Sequence, residues 1–202
     1  MARRLPGAGP PANDLTGKAR IRNAALDLFA EQGVDATSLR AIASAAGVTV
    51  GLIVHHYGTK EVLREAVELA IVDRFSETIA SVPLGSRPVD QIAAARDEAV
   101  AEMLSTNRAI VDYLRRALLD GSAERGDLVS RLSQLSAQQV HDLRAAGVAS
   151  TKHTVGDQVV TIMVRQLGRL FLQPLVDRIS REFDDDMGPS RTPPQLIVDV
   201  SH

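Results

Sequence analysis

An all-α fold is what this sequence predicts, and three observations predict it. Apolar residues recur three and four positions apart, as in Leu39, Ile42, Ala43 and Ala46, which is the spacing of one helix face. No stretch alternates apolar and polar residues long enough to suggest a sheet. Glycine and proline cut the helical pattern into segments, with Pro83, Gly85 and Pro88 marking a domain boundary, because both residues disfavour a helix interior.

The segments follow in order. Residues 1–14 are rich in Pro, Gly and Ala and read as a flexible arm. Its Arg3 and Arg4 are weighed as nucleic-acid contacts against plain solvation. The first helix covers residues 15–32, with Thr16 as its cap, Ile21, Ala25, Leu28 and Phe29 inside, and Gly33 as its stop. Lys18, Arg20 and Arg22 lie near its start. Residues 37–57 then read as two short helices around a tight corner. Thr37 caps the first, Gly47 ends it, Val48 plugs the corner, and Thr49 caps the second with Ile53 on the buried side. That is the build of a helix-turn-helix, whose second helix enters the DNA major groove. Thr59 caps a fourth helix, running from Lys60 toward Ala80, and a lysine beside free backbone N–H groups suits a phosphate.

The body is a succession of helices over 89–105, from the Asn107 cap to 120, and over 127–146, with a turn at 121–126. The segment 152–183 is apolar on more than one side, and Pro174 is expected to kink it or begin a new helix. A helix apolar on two sides must be buried on two sides, so it either faces a partner or is the central helix of a monomeric core. The acids at 184–186 read as a solvated helix end; no metal site is expected, since no His or second acidic cluster stands at ligand spacing. Residues 186–202 read as a loosely packed tail.

Composition excludes several classes. There is no cysteine, so neither a disulfide framework nor a thiolate zinc site is possible. No apolar run approaches the ~20 residues that span a bilayer, and residues 1–13 lack the apolar centre of a signal peptide, so the expectation is a cytoplasmic protein without membrane contact. No HExxH, phosphate loop or GxSxG occurs, so no enzyme activity and no cofactor are expected. Net charge is −2, but residues 1–60 carry seven Lys/Arg against four Asp/Glu, and the remainder sixteen against twenty-one. A basic head on an acidic body fits a protein that meets DNA at one end.

Ala25, Phe29 and Gly33, then Thr37, Ile42, Ala43, Ala46, Gly47, Val48 and Thr49, then Gly51, Ile53, His56, Tyr57, Lys60, Glu61 and Leu63 form an ungapped pattern. It resembles the N-terminal domain of the TetR family of one-component transcription regulators. The resemblance implies a three-helix helix-turn-helix DNA-binding domain over 15–60 and a helical ligand-binding and dimerisation domain over 61–185. It implies a homodimeric repressor on a pseudo-palindromic double-stranded DNA operator, and apolar residues of the body beyond those a tight bundle must bury lead to the expectation of release by a small, largely apolar effector. The rival reading is a helical dimeric scaffold without ligand control.

The resemblance implies DNA contacts from Thr49, Gly51, His55 and His56, with Thr37 and Lys60 on phosphates and Ser38 beside them. Val50 stands where many members carry lysine, and Val54 where many carry tyrosine; Val50 and Leu52 are then expected on thymine methyl groups. Effector-lining residues are expected at Met103, Leu104, Tyr113 and Leu114, and also at Leu118, Met163 and Gln166. The dimer face is expected at Val160, Val164, Leu167 and Gly168, continuing through Phe171, Leu175 and Ile179.

Overall fold

Hydroxyl caps and positive-φ glycines set most of the helix boundaries between Gly33 and Thr59. The computed structural model describes residues 12–119, 128–182 and 196. Its helices are α1 (Ala12–Gln32), α2 (Leu39–Ala46), α3 (Val50–Tyr57), α4 (Lys60–Ala80), α5 (Val89–Thr106), α6 (Arg108–Leu119), α7 (Leu128–Ala145) and α8 (Val155–Glu182). No strand occurs among the described residues. α1 begins at Ala12 rather than Leu15, so Thr16 lies inside the helix instead of capping it. Residues 1–11 of the expected arm, the turn at 121–126, the acids at 184–186 and the tail, save Leu196, lie outside the described residues.

The head is built around α1. Ile21, Ala25 and Phe29 project from it and are almost wholly buried with Ile42 of α2, Ile53 of α3 and Leu63 of α4. Apart from Ala25, each of these side chains contributes about 1.5–3 kcal/mol through burial. Gly47 ends α2 at φ 63°, and its N–H donates to the Ala43 and Ser44 carbonyls. A side chain there would meet the steric cost of the left-handed region. The chain bends through 104° between α2 and α3, within the range of helix-turn-helix corners. Thr49 and Thr59 cap α3 and α4 through their hydroxyls, accepting from Leu52 and Val62 N–H groups at 3.3 Å.

α4 carries the apolar core onward from the head. Val67, Ile71 and Phe75 follow Leu63 on its buried side, and one continuous buried cluster runs from Ile21 to Leu170. α4 packs on α5 and α7, α7 on α8, and α6 on α1. Two buried polar ties fix this arrangement. The Tyr113 hydroxyl of α6 donates to Glu68 Oε1 of α4 at 2.9 Å, and Arg96 Nε of α5 donates to the Val82 carbonyl at 3.1 Å. Asn107 caps in the reverse sense to the expectation: its amide donates back to the Met103 carbonyl of α5 at 2.7 Å.

Pro174 neither ends α8 nor begins a new helix; it stands inside one continuous element. Proline has no N–H, so it leaves the carbonyl four residues earlier without its helical donor. That carbonyl belongs to Leu170, and Arg115 Nη2 of α6 donates to it at 2.8 Å. By length and composition, α8 also reaches what a membrane crossing needs, which the sequence expectation denied. Arg165 and Arg169 in its middle instead pair with Asp97 and Glu98 of α5.

Candidate nucleic-acid interface and body cavity

The second helix of the corner, α3, turns one edge outward. Thr49, Gly51, Val54 and His55 are exposed. Val50 and Leu52 are half-buried and lean on the core cluster. His56 is half-buried as well, facing α1: a Cβ added at Gly17 would stand 3.7 Å from both His56 Nε2 and Leu52 Cδ2. The expected contact set therefore splits. Thr49, Gly51 and His55 share the open edge, whereas Val50, Leu52 and His56 are partly occupied in seating α3. Val54, which the sequence suggested only as a lost polar group, is 49% exposed on that edge.

Two residues expected on phosphates have partners within the chain. Thr37 is buried at 1% exposure, and its hydroxyl donates to the Gly33 carbonyl at 2.6 Å. It closes the end of α1 from the buried side, and the cap role expected of it passes to the next residue. The cap of α2 is its neighbour Ser38, exposed, whose Oγ accepts from Ala41 N–H at 3.1 Å. Lys60 is the second. Its ammonium donates to the carbonyls of Val34, Asp35 and Thr37 at 2.9, 3.4 and 3.2 Å. An ammonium has three donors, so Lys60 latches α4 to the α1–α2 loop instead of standing open.

Tyr57 closes the assembly from the far end of α3. Its hydroxyl donates to the Lys18 carbonyl of α1 at 2.8 Å, and the Lys18 ammonium lies 5.5 Å from its ring centroid. Burial pushes the Tyr57 phenol up, against a smaller opposing effect of the Arg22 charge. Arg40, exposed on α2 two residues past the Ser38 cap, is a basic group that sequence reasoning passed over. Its signal was a lone charge on an otherwise small and apolar helix.

The body holds a cavity of about 350 Å³ between α5, α6 and α8. An adjoining chamber of about 30 Å³ lies deeper, and Leu104, Gln166 and Leu170 border both. Of the expected lining residues, Leu104 and Gln166 face the large cavity, and Leu114 and Met163 face the inner chamber. Met103 and Tyr113 are core residues instead, and Leu118 lines neither space. The sequence reading missed the arginines at the rim, Arg108, Arg115, Arg165 and Arg169. Their spacing on two otherwise apolar helices was the available signal.

On α8, Val160, Val164, Leu175 and Ile179 of the expected dimer face are 36–53% exposed. Leu167 and Phe171 pack partly against the chain's own core, and Gly168 is half-buried beside them.

Two capped helices at a sharp corner, seated on a third and presenting one edge of the second, define a helix-turn-helix unit. Residues 21–67 match the family model described as bacterial regulatory proteins, tetR family, which places this N-terminal head in that family. It is 33% identical over 136 residues to the HTH-type transcriptional regulatory protein RaaS of Mycobacterium tuberculosis, covering 67% of this chain and 58% of that protein. It is 39% identical over 80 residues to the HTH-type transcriptional repressor KstR2 of Rhodococcus jostii, covering 36% of this chain and 39% of that one. The chain thus spans only part of the length of these relatives. The multidrug binding protein EbrR, solved with imidazole, shares the fold at a TM-score of 0.59 and 22% identity, over 93% of this chain and 99% of that one.

Proposed function

We propose that the protein is a dimeric transcriptional repressor that reads a pseudo-palindromic DNA operator with α3 and is released by a small effector bound in its body. The observation that carries the reading is the open edge of α3, where Thr49, Gly51, Val54 and His55 stand exposed on a capped support. Groups in that position meet base edges in a major groove. The printed descriptions of RaaS as a transcriptional regulatory protein and KstR2 as a repressor support it, as does that of EbrR as a multidrug binding protein for the effector.

The dimer follows from α8. Val160, Val164, Leu175 and Ile179 make an apolar stripe left open by the single chain, and a surface of that kind marks an interaction site. A second copy suits it better than a bilayer, because Arg165 and Arg169 on the same helix form ion pairs with α5. Two heads related by a two-fold axis then meet half-sites in successive major grooves.

Selection of DNA from a random pool by the purified protein tests the reading. The expected product is an inverted repeat that shifts in a gel as one discrete complex. Binding that ignores sequence, or no binding, overturns it and favours the scaffold.

A further inference from the structure

We propose that the body cavity takes a carboxylate-headed aliphatic chain, with its head at the arginine rim and a hydroxyl-bearing far end in the inner chamber. This rests on the reading of the body as an effector site and names the chemistry of that effector.

The rim supplies the head group's partners. Arg108, Arg115, Arg165 and Arg169 line the cavity with two carboxylates, Asp97 and Asp177. Arg165 is held by Asp97 at 2.8 Å. Arg108 and Arg115 share Asp112 at 3.3 and 3.4 Å. Arg169 reaches Glu98 only at 3.9 Å, and that carboxylate is 64% exposed. A guanidinium carries five donors in a planar fork that matches a carboxylate, so this rim holds more donors than its own acids occupy. Pro174 contributes indirectly. It frees the Leu170 carbonyl, which takes Arg115 Nη2 at 2.8 Å and so fixes that guanidinium at the cavity wall.

The inner chamber asks for a donor at the other end. Phe75, Leu132, Leu135 and Leu167 make its walls apolar. Among them Gln139 is 6% exposed, and its Oε1 is buried without a hydrogen bond. The Ser136 hydroxyl beside it is directed to Met163 Sδ at 3.6 Å. A buried acceptor left unpaired is costly, and a ligand hydroxyl would satisfy it. Size agrees: a cavity of about 150 Å³ holds benzene, so the space here holds roughly a dozen or so non-hydrogen atoms, the size of a ten-carbon hydroxy acid.

The test is calorimetric titration of the full chain with decanoate, 10-hydroxydecanoate, 1-decanol and decyltrimethylammonium, with operator release measured separately. The expected result is binding of both carboxylates, the hydroxylated one several-fold more tightly, and weaker binding of the alcohol and the cation. Arg169→Gln is expected to weaken both carboxylates about tenfold, the loss of one charge-assisted hydrogen bond, and to leave the alcohol unchanged. Arg108→Gln, at a side chain 92% exposed, repeats the test where folding is not at stake. Gln139→Leu is expected to erase the preference for the hydroxyl and keep decanoate binding. Equal binding of cation and carboxylate, or indifference to both arginine changes, overturns the head-group assignment. Equal binding of the two carboxylates by the wild type overturns the far-end assignment. If no chain binds while operator affinity persists, the cavity assignment falls and the DNA reading stands. If carboxylates bind as expected but never release the operator, the chemistry of the site stands and effector control falls.

Discussion

Arg116 of α6 donates through Nε to the Ala30 carbonyl of α1 at 2.7 Å, and its Nη2 donates to the Glu31 carbonyl. These carbonyls belong to the last turn of α1, where a cation is favoured by the helix dipole and by acceptors without intrahelical donors. The bond joins the body to the helix on which α3 is seated. Arg115, the adjacent residue, lines the body cavity. Under the proposed effector control, a shift of α6 is expected to reach α1 through this guanidinium as well as through the packing of α6 on α1. Arg116→Gln should lower thermal stability by about 1–2 kcal/mol, since the side chain is half-buried and two charge-assisted bonds are lost. Operator affinity without effector should change little, while effector-induced release should weaken. A variant that melts earlier yet releases normally would confine Arg116 to a structural role.

Lys60 separates two roles by salt dependence. A phosphate contact releases a counterion, so its removal lowers the slope of log K against log salt by about one. A lysine held by Val34, Asp35 and Thr37 carbonyls contributes through the geometry of the head. Lys60→Met, which keeps the apolar stem, should lower the melting temperature and weaken binding to all sequences alike, with the salt slope unchanged. A slope reduced by one at unchanged stability would return Lys60 to the phosphate.

On the open edge of α3, Thr49→Ala removes a cap hydroxyl worth about 1 kcal/mol and a group proposed to meet the bases. His55→Ala removes only the latter, because His55 is exposed and has no capping role. Repeating the DNA selection should give altered half-sites for both, with a stability loss for Thr49→Ala alone. An unchanged consensus from His55→Ala would remove it from base reading.

The dimer face is tested at Leu175 and Ile179, which are 53% and 48% exposed in the single chain. Glutamate at either position leaves the fold intact but places an unpaired charge in a dry interface, at a cost of several kcal/mol. Leu170 is unsuitable for this test, since it is 8% exposed and faces the chain's own core. Sedimentation should show a wild-type dimer at micromolar concentration and a folded monomer for Leu175→Glu. A monomeric wild type would end the dimer proposal.

Local chemistry made most of the helix boundaries legible. Thr49, Gly47 and Thr59 act where their own neighbours predict, because a cap or a left-handed turn is decided within four residues. Thr37 and Ser38 were not separable, since two adjacent hydroxyls fit the same capping pattern. Packing against the end of α1 decides which one turns inward. The Lys60 latch, the Arg116 bond and the support of the Leu170 carbonyl join residues 23 to 86 positions apart, and periodicity carries no information at that range. Pro174 was legible as a disturbance, but its repair by Arg115 was not.

Alkaline unfolding gives a test independent of function. The chain has two tyrosines and no tryptophan, and both phenols are pushed above their ordinary value near 10. For Tyr113 the first cause is burial, followed by the charge of Glu68 and the hydrogen bond to it, with Arg64 opposing. For Tyr57 it is burial, with Arg22 opposing. A folded-state value above the unfolded one means that the neutral form is favoured by folding. That stability is fully present below about pH 10 and is lost as pH rises from there toward the folded values, because the unfolded chain then binds fewer protons. Tyrosinate absorbance at about 295 nm should therefore appear in one step that coincides with loss of helix by circular dichroism. Tyr113→Phe leaves Glu68 without its hydroxyl partner and should cost about 1–3 kcal/mol at neutral pH. Above about pH 10 its stability should fall with roughly half the wild-type tyrosine-linked slope, since one proton instead of two is released on unfolding. Smooth titration of either phenol while the helical signal persists would show that the phenol is open to solvent, contrary to the packing of Tyr57 on Lys18 and of Tyr113 on Glu68.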